Sequence, residues 1–400
     1  MQRVRPATAA PPVRTPTRVL IAADKFKGSM TADAVTSAIA RGIEASGLSF
    51  RVSALPVADG GDGTVDAALQ SGFAPVTIRT VDALGAAREV VLARDGDRIL
   101  IETASICGMA TMSRPAPLHG SSAGVGQAIS AALDHGARSV IIGLGGSATT
   151  DGGSGMLGAL GVVFRDDSGQ VVNPSGATLA RIAAVDWSGL DPRLAEVRLS
   201  LLCDVSNPLL GPAGAARIFG PQKGATPGQV EALERGLTHF VDVLAQSPEN
   251  PIDAHTLAGT PGSGAAGGIA FGALCIGADR QSGADVMLEL LRFDEHLTDT
   301  DLVVTGEGRL DAQTAGGKVP QVVTERAVRA GCTVVAVVGS STLTDDEAHA
   351  IGFDAVYELV GRDPRCADDP ALTESLLRDI GRAIAHRYRS SPATERASPH

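Results

Sequence analysis

From residue 17 the chain alternates short apolar runs with longer stretches whose apolar side chains recur every three or four positions. Residues 18–23 are an apolar run of strand length. Ala34, Val35, Ala38, Ile39 and Ile43 then share one face of a helix expected over 31–45, with Thr31 as N-cap and Asp33 in its first turn. Residues 52–57, followed by a helix reaching about Gln70, repeat the unit. Between 75 and 100 the pattern changes to three short strands, 76–79, 89–92 and 98–101, with turns but no helix between them, which predicts antiparallel pairing. Next come a helix over 123–133, a strand at 140–142, a helix from Met156, a strand at 199–203 and an amphipathic helix over 227–246. Beyond 290 the alternation is regular: strands at 301–305, 333–338 and 355–359, and helices at 318–330, 344–350 and 370–387.

Strands separated by helices predict a parallel, doubly wound sheet. The same grammar at both ends, with a different middle, predicts two domains of the α/β class. One is built from 17–75 plus 291–388, and it is interrupted by an inserted α/β domain over 76–290. Residues 1–16, rich in Pro, Ala, Thr and Arg, are expected to be a disordered tail, and 389–400 a loose one.

Composition narrows the function. A net charge of -11 leaves no broad basic excess for nucleic acid. No apolar run is long enough to span a bilayer, residues 1–16 lack the apolar segment of a signal peptide, and the five dispersed cysteines form no CxxC pair. Together these lead us to expect a cytoplasmic protein with reduced, mostly buried thiols. The 48 glycines gather in clusters without a period, so they mark specialised loops.

The densest cluster is the loop 143–153, Gly-Leu-Gly-Gly-Ser-Ala-Thr-Thr-Asp-Gly-Gly, placed between a strand and a helix. Main-chain N–H groups that converge at such a loop suit a phosphoryl group or carboxylate, and Asp151 adds a carboxylate. Further acidic or glycine clusters follow predicted strands at 24–28, 59–63, 204–207 and 305–311, where open α/β sheets bind ligands. Any one of these clusters reads equally well as a turn; four at equivalent places do not. Phosphoryl transfer needs a metal on phosphate oxygens, cations on developing charge and a carboxylate for the hydroxyl. Asp59, Asp151, Asp204, Glu307 and Asp311 are the candidate acids, and Lys25, Lys27, Lys223, Arg309 and Lys318 the candidate cations. Residues 262–267 match GxGxxG, but no strand is expected before them, which argues against a dinucleotide site; a closely packed helix start, or a contact to phosphate or carboxylate, fits better. Gly317-Lys318 is followed by Val319, so no Walker A motif exists.

Taken together, seven ordered blocks resemble the bacterial glycerate kinase family of the first type: 24–29 (DKFKGS), 58–64 (ADGGDGT), 145–153 (GGSATTDGG), 203–212 (CDVSNPLLGP), 219–224 (FGPQKG), 261–268 (PGSGAAGG) and 305–311 (TGEGRLD). The resemblance implies ATP-dependent phosphorylation of D-glycerate with Mg²⁺, usually giving 2-phosphoglycerate, with 3-phosphoglycerate the alternative product. A nucleotide-dependent oxidoreductase and a non-catalytic sugar-acid sensor are the more distant readings. It implies a flavodoxin-like domain holding an inserted domain likened to restriction-enzyme folds. Cys107 and Thr150 stand where a serine-like residue and asparagine are expected. On this reading Asp59, Asp151, Asp204, Lys25 and Lys27 serve catalysis. Gly145, Gly146, Ser147, Thr149, Lys223, Gly264, Gly267, Arg309 and Lys318 bind substrate or phosphate, and Asp204, Glu307 and Asp311 hold the metal. The partners are small molecules, neither nucleic acid nor a membrane, and a homodimer is compatible with the reading.

Overall fold

A computed structural model describes residues 16–247, 253–311 and 317–389. Nearly all of the expected N-terminal tail and of the loose C-terminal one lies outside the described residues.

Thirteen strands are present among the described residues: β1 Thr17–Ala23, β2 Phe50–Ala54, β3 Ala74–Val81, β4 Ala87–Asp95, β5 Arg98–Glu102, β6 Ser139–Gly143, β7 Val163–Arg165, β8 Ala184–Asp186, β9 Arg198–Leu202, β10 Asp279–Gln281, β11 Leu302–Leu310, β12 Thr333–Ser341 and β13 Ala355–Glu358. Strands β13-β12-β11-β1-β2 form a parallel sheet. Counted in chain order within that sheet, this is the flavodoxin arrangement, in which strand order reverses between β1 and β11. Strands β10-β9-β6-β5-β4-β3 form a mixed sheet, antiparallel across β3-β4-β5 as the helix-free stretch predicts and parallel from β5 to β10. The parallel sheet draws on both ends of the chain and the mixed sheet on the middle.

Both sheets are covered on both faces, which is why their strands read as continuous apolar runs. Ile21, Val304 and Val337 pack under helices Ala32–Glu44 and Pro370–Tyr388. Ile101, Val140 and Leu201 pack under helices Ala123–Asp134 and Ala265–Leu274. The opposite faces share a single core. Leu20, Val303 and Ala336 of the parallel sheet join Leu100, Ile141 and Leu202 of the mixed sheet through helices Thr64–Gln70, Gly283–Leu290 and Val319–Arg329. The strand carboxyl ends of both sheets therefore open onto a common cleft.

The structure departs from the sequence pattern in one informative place. Residues 305–310, expected as a loop after a strand ending at 305, lie inside β11. Pairing with β1 stops at Ala23↔Gly306, while pairing with β12 runs on to Leu310↔Ser341. Glycines 306, 308 and 339 let the backbones crowd there: a side chain at 306 would strike the Val337 carbonyl, and one at 339 the Gly308 carbonyl. Those glycines mimic a turn signal but mark a tight strand.

Candidate active site

The cleft is built where two loops lean on each other. The loop after β2 carries Asp59 to Gly63, and the loop after β6 carries Leu144 to Gly153. A Cβ at Gly145 would overlap the Gly61 Cα, and one at Gly143 would strike the Gly60 carbonyl. Only two bare backbones can approach so closely, and this contact stitches the parallel-sheet part to the mixed-sheet part. Two adjoining cavities, of about 190 and 550 Å³, share Asp59, Gly61, Gly145 and Gly146 as a common wall. Ser147, Asp204, Gln222 and Lys223 complete the smaller one, and Lys25 and Lys27 border the larger.

Asp24 leaves β1 at the point of strand-order reversal, with its amide bonded to the Gly306 carbonyl (2.9 Å). It is 8% exposed. Lys25 Nζ lies 3.7 Å from Asp24 Oδ1 and 3.7 Å from Asp59 Oδ1, and donates to the Asp62 carbonyl at 2.7 Å. Asp59 Oδ1 accepts from its own loop at Gly61 N (2.9 Å). Asp204 follows β9, and its Oδ1 accepts from Gly283 N at 2.8 Å. Burial, the Asp59 charge and Glu307 push Asp24 up to about 7 against the opposing Lys25. Asp204, reached by solvent yet walled by protein, is also pushed up to about 7, by desolvation and by Asp59 and Asp285. Asp59 is thus the electrostatic link between an acid from each sheet. Burial lowers Lys25, but Asp24, Asp59, Asp62 and Glu102 outweigh it and the net shift is upward.

On the facing wall Lys223 sits in a turn over Pro221–Lys223 and is 4% exposed. Its Nζ donates to the Thr149 carbonyl (2.6 Å) and to Ser147 Oγ (3.2 Å). Burial lowers its pKa to about 8, with Cys107 and Asp151 partly opposing.

Several expected site residues lie elsewhere. Asp151 is fully buried and lines neither cavity. Its carboxylate accepts from Ser122 N and Oγ (both 2.8 Å), Gly153 N and Gly155 N (both 3.1 Å). It ties down the glycine loop and the helices Ala123–Asp134 and Ser154–Ala159. Other amides of the loop are engaged internally, Ala148 N with the Cys107 carbonyl and Gly152 N with the Gly267 carbonyl, so the loop is less of an anion cradle than its sequence suggests. Gly264 and Gly267 are packing residues: side chains there would strike the Pro208 and Thr149 carbonyls, and the cavity wall is made instead by Ala265 and Ala266. The GxGxxG segment follows a helix, Ala254–Gly259, as its failed context anticipates. Thr149 contributes its carbonyl, while its buried hydroxyl has no hydrogen-bond partner. The proposed metal set also divides. Asp204 belongs to the mixed sheet, whereas Glu307 (4.0 Å from Lys318 Nζ) and Asp311 (3.4 Å from Arg309 Nε) belong to β11 and its exit. Among the described residues no group of three or more His, Cys, Asp or Glu could hold a metal by itself. The sequence reading left Asp24 without a role and missed Glu102, whose buried carboxylate accepts from Val65 N at 3.1 Å, and Gly283. Asp24 had a signal, as the first residue past a strand; Gly283 had none.

The fold is of the α/β class, with its two larger sheets meeting at a cleft lined by acids and lysines. The profile of the glycerate kinase family matches residues 19–389. The glycerate kinase of Bacillus subtilis (strain 168) is 39% identical over 353 residues, which cover 86% of this chain and 90% of the relative. The glycerate 2-kinase of Escherichia coli (strain K12) is 38% identical over 353 residues, with the same coverage of 86% and 90%. A crystal structure from Salmonella typhimurium LT2, assigned as a glycerate kinase 2, superposes with a TM-score of 0.76 at 34% identity, covering 94% of this chain and 99% of that one. The chain belongs to the glycerate kinase family. Among the described residues no helix is long and apolar enough to cross a membrane.

Proposed function

We propose that this enzyme transfers the terminal phosphoryl group of ATP to a hydroxyl of D-glycerate, with 2-phosphoglycerate as the product. The observation that carries this reading is the meeting of Asp59 and Asp204, drawn from the two sheets, with Lys25 and Lys223 around two joined cavities, and with Asp24 behind Lys25 at 3.7 Å. The smaller cavity suits a three-carbon acid and the larger a nucleotide. Lys223 and Ser147 would hold the carboxylate of glycerate, and Lys25 and Lys27 the transferring phosphates. Asp59 or Asp204 would accept the hydroxyl proton.

The acids fit Mg²⁺. Asp59 and Asp204 are two carboxylates on the wall of one small cavity, and Mg²⁺ needs only one or two protein carboxylates beside water and phosphate. Asp59 and Asp204, which both line the smaller cavity, would hold it with water and phosphate completing its shell, in place of the trio expected from sequence. When bound it supplies neutralisation of phosphate charge. The two sheets, on this view, are the cores of two domains whose strand ends face each other.

ADP formation by the full chain, with and without D-glycerate and Mg²⁺, tests the reading. D-glycerate-dependent release that EDTA abolishes and Mg²⁺ restores supports it, and its absence ends it. Phosphorus NMR of the product separates 2- from 3-phosphoglycerate.

A further inference from the structure

Asp59 and Asp204 come from different sheets, and what brings them together is the first turn of helix Gly283–Leu290. Gly283 N donates to Asp204 Oδ1 at 2.8 Å. A side chain on Gly283 would collide with the Asp59 carbonyl and come to 3.0 Å from Asp204 Oδ2. Ser282 caps this turn, its Oγ accepting from Asp285 N at 3.3 Å. A shift of this turn therefore passes directly to the Asp204 carboxylate and to the backbone of Asp59.

The apolar side of the helix is seated by Met287, Leu288 and Leu290 in the core shared with Val319, Val322 and Val323. Apolar packing is poorly directional and does not by itself fix the azimuth of the first turn. Arg326, on helix Val319–Arg329, supplies direction. Its Nη2 donates to Asp285 Oδ1 (2.9 Å) and to the Asp285 carbonyl (3.3 Å), and its Nη1 to Asp294 Oδ2 (3.3 Å) in the next helix, Phe293–Leu297. The arginine side chain is 13% exposed while the Asp285 and Asp294 side chains are 50% and 68% exposed, so the clamp is anchored from the arginine side. Nη2 alone holds the carboxylate and the main-chain carbonyl of Asp285 while Nη1 reaches Asp294, so the two arms of the guanidinium span two helices, a spread that a single ammonium matches only in part. Asp285 also acts electrostatically on Asp204, so neutralising it beside the cleft has a second use.

We propose that Arg326 is a positioning residue for the reaction: it clamps the first turn of helix Gly283–Leu290 and thereby aims the Asp204 carboxylate into the cleft. This inference rests on Asp204 acting as proposed above.

The test uses the full chain with Arg326→Met, Arg326→Lys, Asp285→Asn and the Met/Asn double variant. Two readouts are followed: amide exchange of a peptide spanning residues 282–286, and steady-state kinetics with ATP and D-glycerate. The clamp predicts roughly tenfold faster exchange in that peptide for Arg326→Met. It predicts kcat lower by about tenfold with KM moved less than about threefold, and partial recovery in Arg326→Lys. Asp285→Asn should reproduce the loss, and the double variant should be little worse than either single one. Unchanged exchange at 282–286, or losses that add in the double variant, would overturn the proposal. Should Arg326→Met not fold, Arg326→Lys and Asp285→Asn carry the same comparison. A wild-type chain inactive on glycerate would count against the proposed function, and the exchange arm would still decide the clamp.

Discussion

Replacing Lys223 by Met separates what this side chain does for the substrate from what it does for the fold. The ammonium is enclosed, and burial lowers its pKa from the ordinary 10.5 to about 8. Holding it charged at neutral pH therefore costs about 3 kcal/mol of folding stability. Methionine has nearly the same length and removes that penalty. It also removes two bonds from a charged donor, each about 1.5–3 kcal/mol, and leaves the Thr149 carbonyl without its 2.6 Å partner. The bonds lost outweigh the penalty removed, so we expect a loss of up to about 3 kcal/mol of stability. Binding has no such compensation. Loss of a buried cation facing a carboxylate should lower kcat/KM by about 100-fold, or roughly 3 kcal/mol. A pH series adds a check with a fixed sign. The folded protein releases the Lys223 proton near pH 8 and the unfolded chain near 10.5, so the unfolded state binds more protons between them. Stability contributed by this residue must then rise from about pH 8 to 10.5 in the wild type, and the rise must vanish in Lys223→Met. Thermal unfolding from pH 7 to 10.5 and kinetics with D-glycerate measure both. A folded variant whose kcat/KM stays within about threefold of wild type would refute the argument, as would a stability difference between wild type and Lys223→Met that does not grow in favour of the wild type from pH 8 to 10.5.

Other positions give independent checks. Asp151→Asn points an amide N–H₂ at donors that now meet a carboxylate, so it should destabilise by about 3 kcal/mol while the folded fraction keeps kcat within about threefold; a loss of turnover by orders of magnitude at unchanged Tm would return Asp151 to the chemistry. Glu102 is 5% exposed, and burial pushes its pKa from 4.5 up to about 7, so the folded state binds more protons than the unfolded between those values and stability falls as pH rises through that window. Glu102→Gln keeps an acceptor for Val65 N and should flatten that fall, worth up to about 3 kcal/mol at pH 8 in urea titrations; an unchanged pH profile would contradict it. Gly145→Ala places a methyl on the Gly61 backbone and should lower kcat/KM by more than about tenfold, with 1–3 kcal/mol lost from overpacking; near-normal kinetics would mean that the two loops do not need their close approach.

Local pattern was enough to read the architecture. Apolar runs of strand length, helical repeats such as Val35, Ile39 and Ile43, and caps such as Thr31, whose Oγ1 accepts from Ala34 N at 3.2 Å, act over a few residues and are written in the order of side chains. So was the outline of the site, because acids and glycines just past strand ends collect where the strand ends collect. The division of labour was not legible. Asp59 and Asp151 stand in similar acid-glycine runs, yet one faces the cleft and the other lies under four hydrogen bonds. Glycines 264 and 267 look like a phosphate loop and serve to let backbones touch, and glycines 306 and 308 look like a turn and lie inside β11. Burial, the direction of a carboxylate and the company a charge keeps depend on residues far away in the chain, as with Gly283 against Asp204 or Arg326 against Asp285. Short-range preference chose the elements of this protein, and long-range packing, by setting solvent access and nearest charges, chose which side chains are left to act.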